Sequence, residues 1–477
     1  MTVSITAADW MAVAPMTVVA VAALVVLVAD LLAPRSVNRY AAIGIALAGL
    51  AAAGYLLAGQ YHEPAYAAFS GAFMLGGFGV VFQAIVLIAA AGSLALYGAI
   101  GNAERIGGAV ALMLWSTCGA MLMSGAGNLM TVFLGIELLS LALYCLCGLV
   151  DRPTARESAL KYLILSSTAS GFMLFGMAML FGASGSVALA SFADPSLVSD
   201  PLLWTGAGLF LVGISFKLSL VPFHTWSPDV YEGAPLPVTA FMSVATKAAT
   251  IAVLARFTYA ALPAAAADKL LLPIWVIAAI SMIVGNAGML AQHDLKRLIA
   301  YSGIAQVGYI LTALAGSTAL GMRYAIYYLA AYVFMNLGAF AVAALVSNEG
   351  EQGSRLANYR ALASRRPAAA AMMTFFLLAM AGLPPTAGFL GKILILSTSV
   401  SAGFPWLGFA LIAGTAISLY AYAKVIRLMY ASEHGAHPQD AHPIAPLAWI
   451  SAIACCVIII AMTFYPYTPS NVLPLVR

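Results

Sequence analysis

The sequence predicts an all-α polytopic membrane protein of about fourteen transmembrane helices, with two inverted five-helix repeats and discontinuous helices seven and twelve. Three observations carry this reading. Hydrophobic residues make up 63% of the 477 positions and charged residues 8%, against about 25% charged in a soluble domain. At roughly 20 apolar residues per crossing, crossings and short loops use up almost the whole chain. The basic residues follow the odd-numbered crossings and are scarce after the even ones.

In order, the crossings read as 10–32, 40–58, 73–100, 107–125, 128–149, 158–183, 202–232, 236–262, 270–291, 298–316, 320–347, 368–400, 405–431 and 445–465. Arg35 and Arg39 follow the first, Arg105 the third, and Arg152 and Arg156 the fifth. Lys296 and Arg297 follow the ninth, and Arg355, Arg360, Arg365 and Arg366 the eleventh, while Lys424 and Arg427 end the thirteenth. Even crossings are followed mainly by Lys269 and Arg323. The positive-inside rule then puts the basic loops in the cytoplasm and both termini on the periplasmic side of a bacterial inner membrane. No basic segment precedes the first apolar run, so a cleaved signal peptide is not expected. The expected organisation is a three-helix segment at 1–105, a first repeat at 106–262, a second at 270–431, and a last helix with its tail at 445–477.

Crossings seven and twelve are overlong and hold breakers: Pro222 and Pro228 in one, Gly382, Pro384, Pro385 and Gly388 in the other. Proline removes a backbone donor and clashes with the preceding turn. In lipid the freed groups need partners, so such breaks belong inside a bundle or beside water. The two crossings are five apart. A five-crossing unit repeated once is inverted because five is odd, an arrangement found in many ion carriers.

Lys217 lies in the apolar run GLFLVGISFKLSLVPFHTW, five residues before Pro222. A lysine inside a membrane costs roughly 2.5–3.5 kcal/mol even on the lenient insertion scale, so it marks a functional site by default. Lys247 and Lys392 have similar surroundings, and Glu137 is the one acid well inside a crossing. A low-dielectric setting favours a neutral lysine and an approaching carboxylate favours a charged one, which together make a switchable proton site. A static buried ion pair that serves packing is the alternative. Lys161 and His224 are candidate proton-uptake groups; equally, Lys161 snorkels to the interface and His224 hydrogen-bonds the broken backbone. Asp229 and Glu232 read as shaping the loop after crossing seven. Tyr301, Ser302 and Gln306 are candidate water holders, as are serines and threonines of crossings six and eight.

His434, His437 and His442 read as solvated loop residues. Cys118, Cys145, Cys147, Cys455 and Cys456 lie in apolar runs without metal-site spacing and read as small buried residues. No fingerprint for a nucleotide, flavin or haem is present, and the net charge of +4 sits in topology-setting loops rather than in a nucleic-acid surface.

The run KLSLVPFHTWSPDVYEGAP from Lys217 resembles the discontinuous helix of the antiporter-like membrane subunits of respiratory complex I. QHDLKRLIAYSGIAQVGY and AGLPPTAGFLGK are similar to two further signatures of that group, and with Glu137 and Lys247 the likeness covers nearly the whole chain. The group includes three subunits of NADH:quinone oxidoreductase, cation/proton antiporter subunits and membrane-bound hydrogenase subunits. Within it the chain is most similar to the subunit N branch, through VYEGAPLPVTAF and GLPPTAGFLGK. It stops soon after helix fourteen, without the lateral helix of the subunit L branch, and the subunit M branch usually has a glutamate where Lys392 stands.

The resemblance implies a proton-translocating subunit with Glu137 paired to Lys217, Lys247 as the connecting lysine and Lys392 as the terminal one, facing the exit side. Lys161 and His224 match as candidate uptake residues. It implies no cofactor in this chain, with flavin, iron–sulfur clusters and quinone site on partner subunits. The implied partners are a neighbouring antiporter-like subunit and small membrane subunits. A subunit of a cation/proton antiporter or membrane-bound hydrogenase complex, or a scaffold with vestigial charges, stays open.

Overall fold

The computed structural model describes residues 5–32, 38–98, 106–261, 264–314, 318–346, 354–432 and 446–466. The helices are α1 (Ala7–Leu32), α2 (Asn38–Gln60), α3 (Gly77–Tyr97), α4 (Ile106–Ser124), α5 (Leu129–Cys147), α6 (Pro153–Ser184), α7 (Pro201–Leu218), α8 (Trp226–Gly233) and α9 (Leu236–Ala260). They continue as α10 (Ala264–Leu290), α11 (Leu295–Ala313), α12 (Ala319–Val346), α13 (Leu362–Arg365), α14 (Pro367–Ala381), α15 (Ala387–Ser401), α16 (Pro405–Met429) and α17 (Pro446–Phe464). Among the described residues, 12 helices, α7 included, are long and apolar enough to cross a membrane. Adding α11, and counting α14 with α15 as one broken crossing, gives the number expected from the sequence.

The bundle is not wholly helical. A hairpin of two short strands precedes α3: β1 (Tyr66–Ala68) lies in the expected connection between crossings two and three, and β2 (Phe73–Leu75) in residues read as the start of the third crossing. Its turn carries positive φ at Phe69, Ser70 and Gly71. The Asp9 carboxylate on α1 anchors it, accepting from the Phe69 N–H at 2.7 Å and the Tyr66 hydroxyl at 3.1 Å. Ala68 and Phe73 pack on Ala12 and Val13 of α1. A short apolar run buried on one face has no period that separates strand from helix, which is why the sequence reads as helix here.

The break in crossing seven falls at 219–225, around Pro222. Pro228 does not contribute: it lies in the first turn of α8, where a missing N–H costs nothing. α7 ends with Ser219 in the left-handed region at φ 57, its N–H bonded to the Phe216 carbonyl at 3.0 Å, and the Leu220 N–H bonded to Ser215 at 2.9 Å. α14 ends the same way, with Gly382 at φ 79 bonded to Ala379 at 3.1 Å and Leu383 to Leu378 at 3.1 Å. Both are Schellman closures, which satisfy terminal carbonyls that lipid cannot. Past the first, the Val221 N–H donates to Ser281 of α10 at 3.0 Å. Past the second, Thr386 caps α15 by accepting from the Phe389 N–H at 3.3 Å. Each break also holds one cis prolyl bond, Val221–Pro222 and Pro384–Pro385.

α9 is the most enclosed crossing, its apolar window 100% buried. α11 is capped by Asp294, which accepts from the Lys296 and Arg297 N–H groups at 2.8 and 3.1 Å and from the Ser354 hydroxyl. Burial raises the Asp294 carboxyl above its ordinary value, with the Ser354 hydrogen bond opposing. α1, α6 and α16 turn wide apolar faces outward, among them Val28, Phe175 and Phe409, as lipid or neighbouring membrane subunits require.

Candidate functional site

Lys217 stands in the last turn of α7 and is 4% exposed. Its ammonium donates to Ser140 Oγ of α5 at 2.6 Å and Ser166 Oγ of α6 at 2.7 Å. The rings of Tyr162, Phe216 and Tyr144 lie 5.3, 5.9 and 6.0 Å from Nζ. A cage of ring faces and hydroxyls holds a cation without a carboxylate in contact, and the helix C-terminus adds its negative end.

Glu137 lies three residues before Ser140 on α5 and accepts from Ser170 Oγ of α6 at 2.6 Å. The direct Glu137–Lys217 pair expected from the resemblance does not form: none of the ion pairs among the described residues joins them. The reason is α6, which presents Tyr162, Ser166 and Ser170 at four-residue spacing on one face. Its two hydroxyls serve the ammonium and the carboxylate separately.

Lys247 is buried midway along α9. Its ammonium donates to the Tyr332 hydroxyl of α12 at 3.3 Å, which itself donates to the Ser243 carbonyl at 3.0 Å. Gly303 of α11 makes room: a Cβ there would collide with Lys247 Nζ and lie 2.9 Å from the Tyr332 oxygen.

Lys392 belongs to α15 but reaches back across the break. Its ammonium donates to the last carbonyls of α14, Met380 at 3.1 Å and Ala381 at 2.9 Å, and lies 4.6 Å from the Tyr309 ring centre. Gln306 Nε2 donates to the same Met380 carbonyl at 3.2 Å, and Gln306 Oε1 accepts from Tyr328. Asn286 donates to the Tyr309 hydroxyl at 2.7 Å, and Ser302 meets Tyr422 at 2.6 Å. By sequence Lys217 precedes its break and Lys392 follows its own. In space the Lys392 ammonium sits on the last carbonyls of its first half-helix, which favour a cation, whereas Lys217, in the last turn of its own half-helix, places its ammonium on serines of α5 and α6.

Lys161 is 42% exposed and pairs with Glu157 at 2.7 Å and Asp229 at 3.0 Å. Arg297 of α11 pairs with Asp229 at 2.6 Å and Glu232 at 2.8 Å. Asp229 and Glu232, expected to shape the loop after crossing seven, are on α8 and form the centre of an ion-pair cluster. His224 is half-buried in the break; its Nδ1 is buried without a hydrogen-bond partner, and its ring lies 6.5 Å from that of Tyr301.

All five cysteines are free thiols, and the described residues hold no metal-ligand cluster. His434, His437 and His442 lie outside the described residues.

Ser140, Ser166, Tyr328, Tyr332 and Asn286 carry no individual signal in the sequence. Arg256 does: it is a charge in the apolar run of α9, it is buried, and it donates to the Ser124 carbonyl at 3.3 Å beside the Phe78 ring. Taken together, the site is a file of three buried amine groups, each on hydroxyl, carbonyl or ring partners, with one carboxylate at the α5–α6 end. Such groups can hold and release protons, and the partners seen here can serve either protonation state.

Residues 126–418 match the transmembrane family described as NADH:quinone oxidoreductase/Mrp antiporter. NADH-quinone oxidoreductase subunit N 1 of Symbiobacterium thermophilum is 42% identical over 429 residues, covering 87% of this chain and 86% of that protein. Subunit N of Trichlorobacter lovleyi is 39% identical over 425 residues, with 87% and 86% covered. A chain of the Thermus thermophilus respiratory complex I structure with bound aureothin superposes at TM-score 0.81, with 30% identity and coverage of 95% and 97%. A chain of the Mrp complex from Dietzia sp. shares the fold at TM-score 0.82 and 19% identity, with 96% and 95% covered.

Proposed function

The chain belongs to the NADH:quinone oxidoreductase/Mrp antiporter transmembrane family, and from that premise we propose that it is a subunit N-type, proton-translocating membrane subunit of NADH:quinone oxidoreductase. The 42% identity to a subunit N over most of both chains carries the assignment. NADH oxidation and quinone reduction belong to partner subunits, where flavin, iron–sulfur clusters and quinone are held. The neighbours are another antiporter-like subunit and small membrane subunits in a bacterial inner membrane, with both termini periplasmic and the five-helix units at 106–262 and 270–431 inverted relative to one another.

The chemistry assigned to this chain is proton transfer along Glu137, Lys217, Lys247 and Lys392, with Lys161 and His224 on the uptake side. Protonated Lys217 is held by Ser140 and Ser166; as the neutral amine it accepts from the same hydroxyls. Moving one charge against ~150 mV costs about 3.5 kcal/mol. That corresponds to a proton-binding constant changing by a few hundredfold. Withdrawing or restoring the Glu137 charge across the serine bridge supplies a change of that order in a partly dry interior.

Affinity purification of the tagged chain from its native membrane tests the assignment. Recovery of flavin- and iron–sulfur-bearing subunits with NADH:quinone activity is expected. Recovery of small membrane subunits alone, with sodium- or potassium-driven proton exchange, would move the chain to the antiporter branch of its family.

A further inference from the structure

Three of the five ion pairs among the described residues meet on α8, and two of the three join Asp229 to Lys161 and to Arg297. Asp229 gives one oxygen to Lys161 of α6 and the other to Arg297 of α11. It thereby ties the second half of the broken crossing to a helix on each side. One turn before it, the Trp226 ring stacks on Tyr162 at 4.8 Å and 5°, and on Phe216 at 5.1 Å and 22°. Trp226 Nε1 also donates to the Phe216 carbonyl at 2.9 Å. Tyr162 and Phe216 are two of the three rings around the Lys217 ammonium. α6 and α8 are thus joined by Lys161 with Asp229, by the adjacent Tyr162 with Trp226, and by Ser158 Oγ, which donates to the Asp229 backbone carbonyl at 3.4 Å.

We propose that Asp229 is a positioning residue for the Lys217 site, a polar latch that holds α8 so that Trp226 keeps the aromatic stack closed beside Lys217, and whose release admits water to it. This rests on the proton-transfer reading above. The latch is built for release. Its members are partly exposed, with Lys161 at 42%, Asp229 at 36% and Arg297 at 27%, and exposed pairs are weak and screened by salt. When Asp229 lets go, Lys161 keeps Glu157 and Arg297 keeps Glu232, so neither cation is stranded. The stack beneath is neutral and hinges on one helix of eight residues.

The test is water access, read on the intact membrane complex rather than through pumping. Ser166→Cys places a thiol on the Lys217 ammonium's partner, and its labelling by a small charged methanethiosulfonate is followed by mass spectrometry of that peptide. Added Asp229→Asn, which keeps the shape and drops the charge, is expected to speed labelling at least tenfold, with Asp229→Glu near the parent rate. Raising salt from 20 to 500 mM, roughly 20 to 4 Å of screening length, is expected to speed labelling in the parent and not in the Asn variant. If the Asn variant does not assemble, the salt response of the parent and a Lys161→Gln variant carry the same question. Unchanged labelling in Asp229→Asn, or a parent rate indifferent to salt, overturns the latch. Neither result bears on whether Lys217 moves protons, which the pumping assay decides separately.

Discussion

Lys217 and Glu137 are held by the same face of α6 rather than in contact with each other: Lys217 donates to Ser166, and one turn further along Ser170 donates to Glu137. The ammonium and the carboxylate thus share one helix face, each on its own hydroxyl. Such an arrangement allows one charge to influence the other without locking both into a permanent salt bridge, whose desolvation cost a buried pair does not always recover.

The serine bridge makes the first prediction. A hydrogen bond to a charged group contributes about 1.5–3 kcal/mol, or roughly ten- to a hundredfold in an equilibrium. Ser166→Ala in the assembled complex is expected to lower protons pumped per NADH, with Ser166→Thr restoring most of the loss because the hydroxyl returns. Equal pumping in the Ala variant and the parent would remove Ser166 from the path.

The Lys247 niche makes the second. Glycine in a helix is less favourable than alanine by about 0.8–1 kcal/mol, which offsets part of the cost of fitting a methyl group at Gly303. The added methyl nonetheless displaces the Lys247 ammonium from the Tyr332 hydroxyl. Pumping is expected to fall in Gly303→Ala and in Tyr332→Phe, and the double variant to be no worse than the single ones, since both remove the same contact. Strictly additive losses would mean that the two residues act independently.

The two half-helix closures make the third. A non-glycine residue in the left-handed region costs about 1–2 kcal/mol. Gly382→Ala is expected to lower the thermal stability of the complex, more so because its Cβ would lie 2.8 Å from Lys392 Cδ. Ser219→Gly is expected to act in the opposite direction, since Ser219 combines φ 57 with a buried hydroxyl that lacks a partner. Thermal unfolding of the two purified variant complexes checks both signs; a stabilised Gly382→Ala would contradict the closure described here.

The crossings and both breaks were legible because long apolar runs and Pro/Gly breakers act locally. Lys217, Lys247 and Lys392 were legible as buried sites because a charge in such a run is costly wherever the helix packs. Their partners were not. Ser166 is one of many serines in membrane helices, and its role depends on how three helices are rotated in space. The strand Phe73–Leu75 reads as the start of a crossing because an apolar stretch too short to show a period looks alike as strand and as helix. Asp229 reads as shaping the loop after crossing seven because nothing local in the sequence pairs it with another helix; only the packing of α6 and α11 beside α8 reveals its partners. The place of Lys392 at the end of α14 is hidden for a related reason, because Lys392 reaches those carbonyls from the far side of the break.

The central claim is that Lys217 carries protons. Its most direct test is proton pumping in membrane vesicles bearing Lys217→Ala, with NADH:quinone turnover and assembly followed in the same preparation. Pumping is expected to be lost or strongly reduced in an assembled complex, and Lys217→Arg to be impaired as well, because a guanidinium does not release its proton. Full pumping in an assembled Lys217→Ala complex would contradict it and leave the buried lysines a structural role.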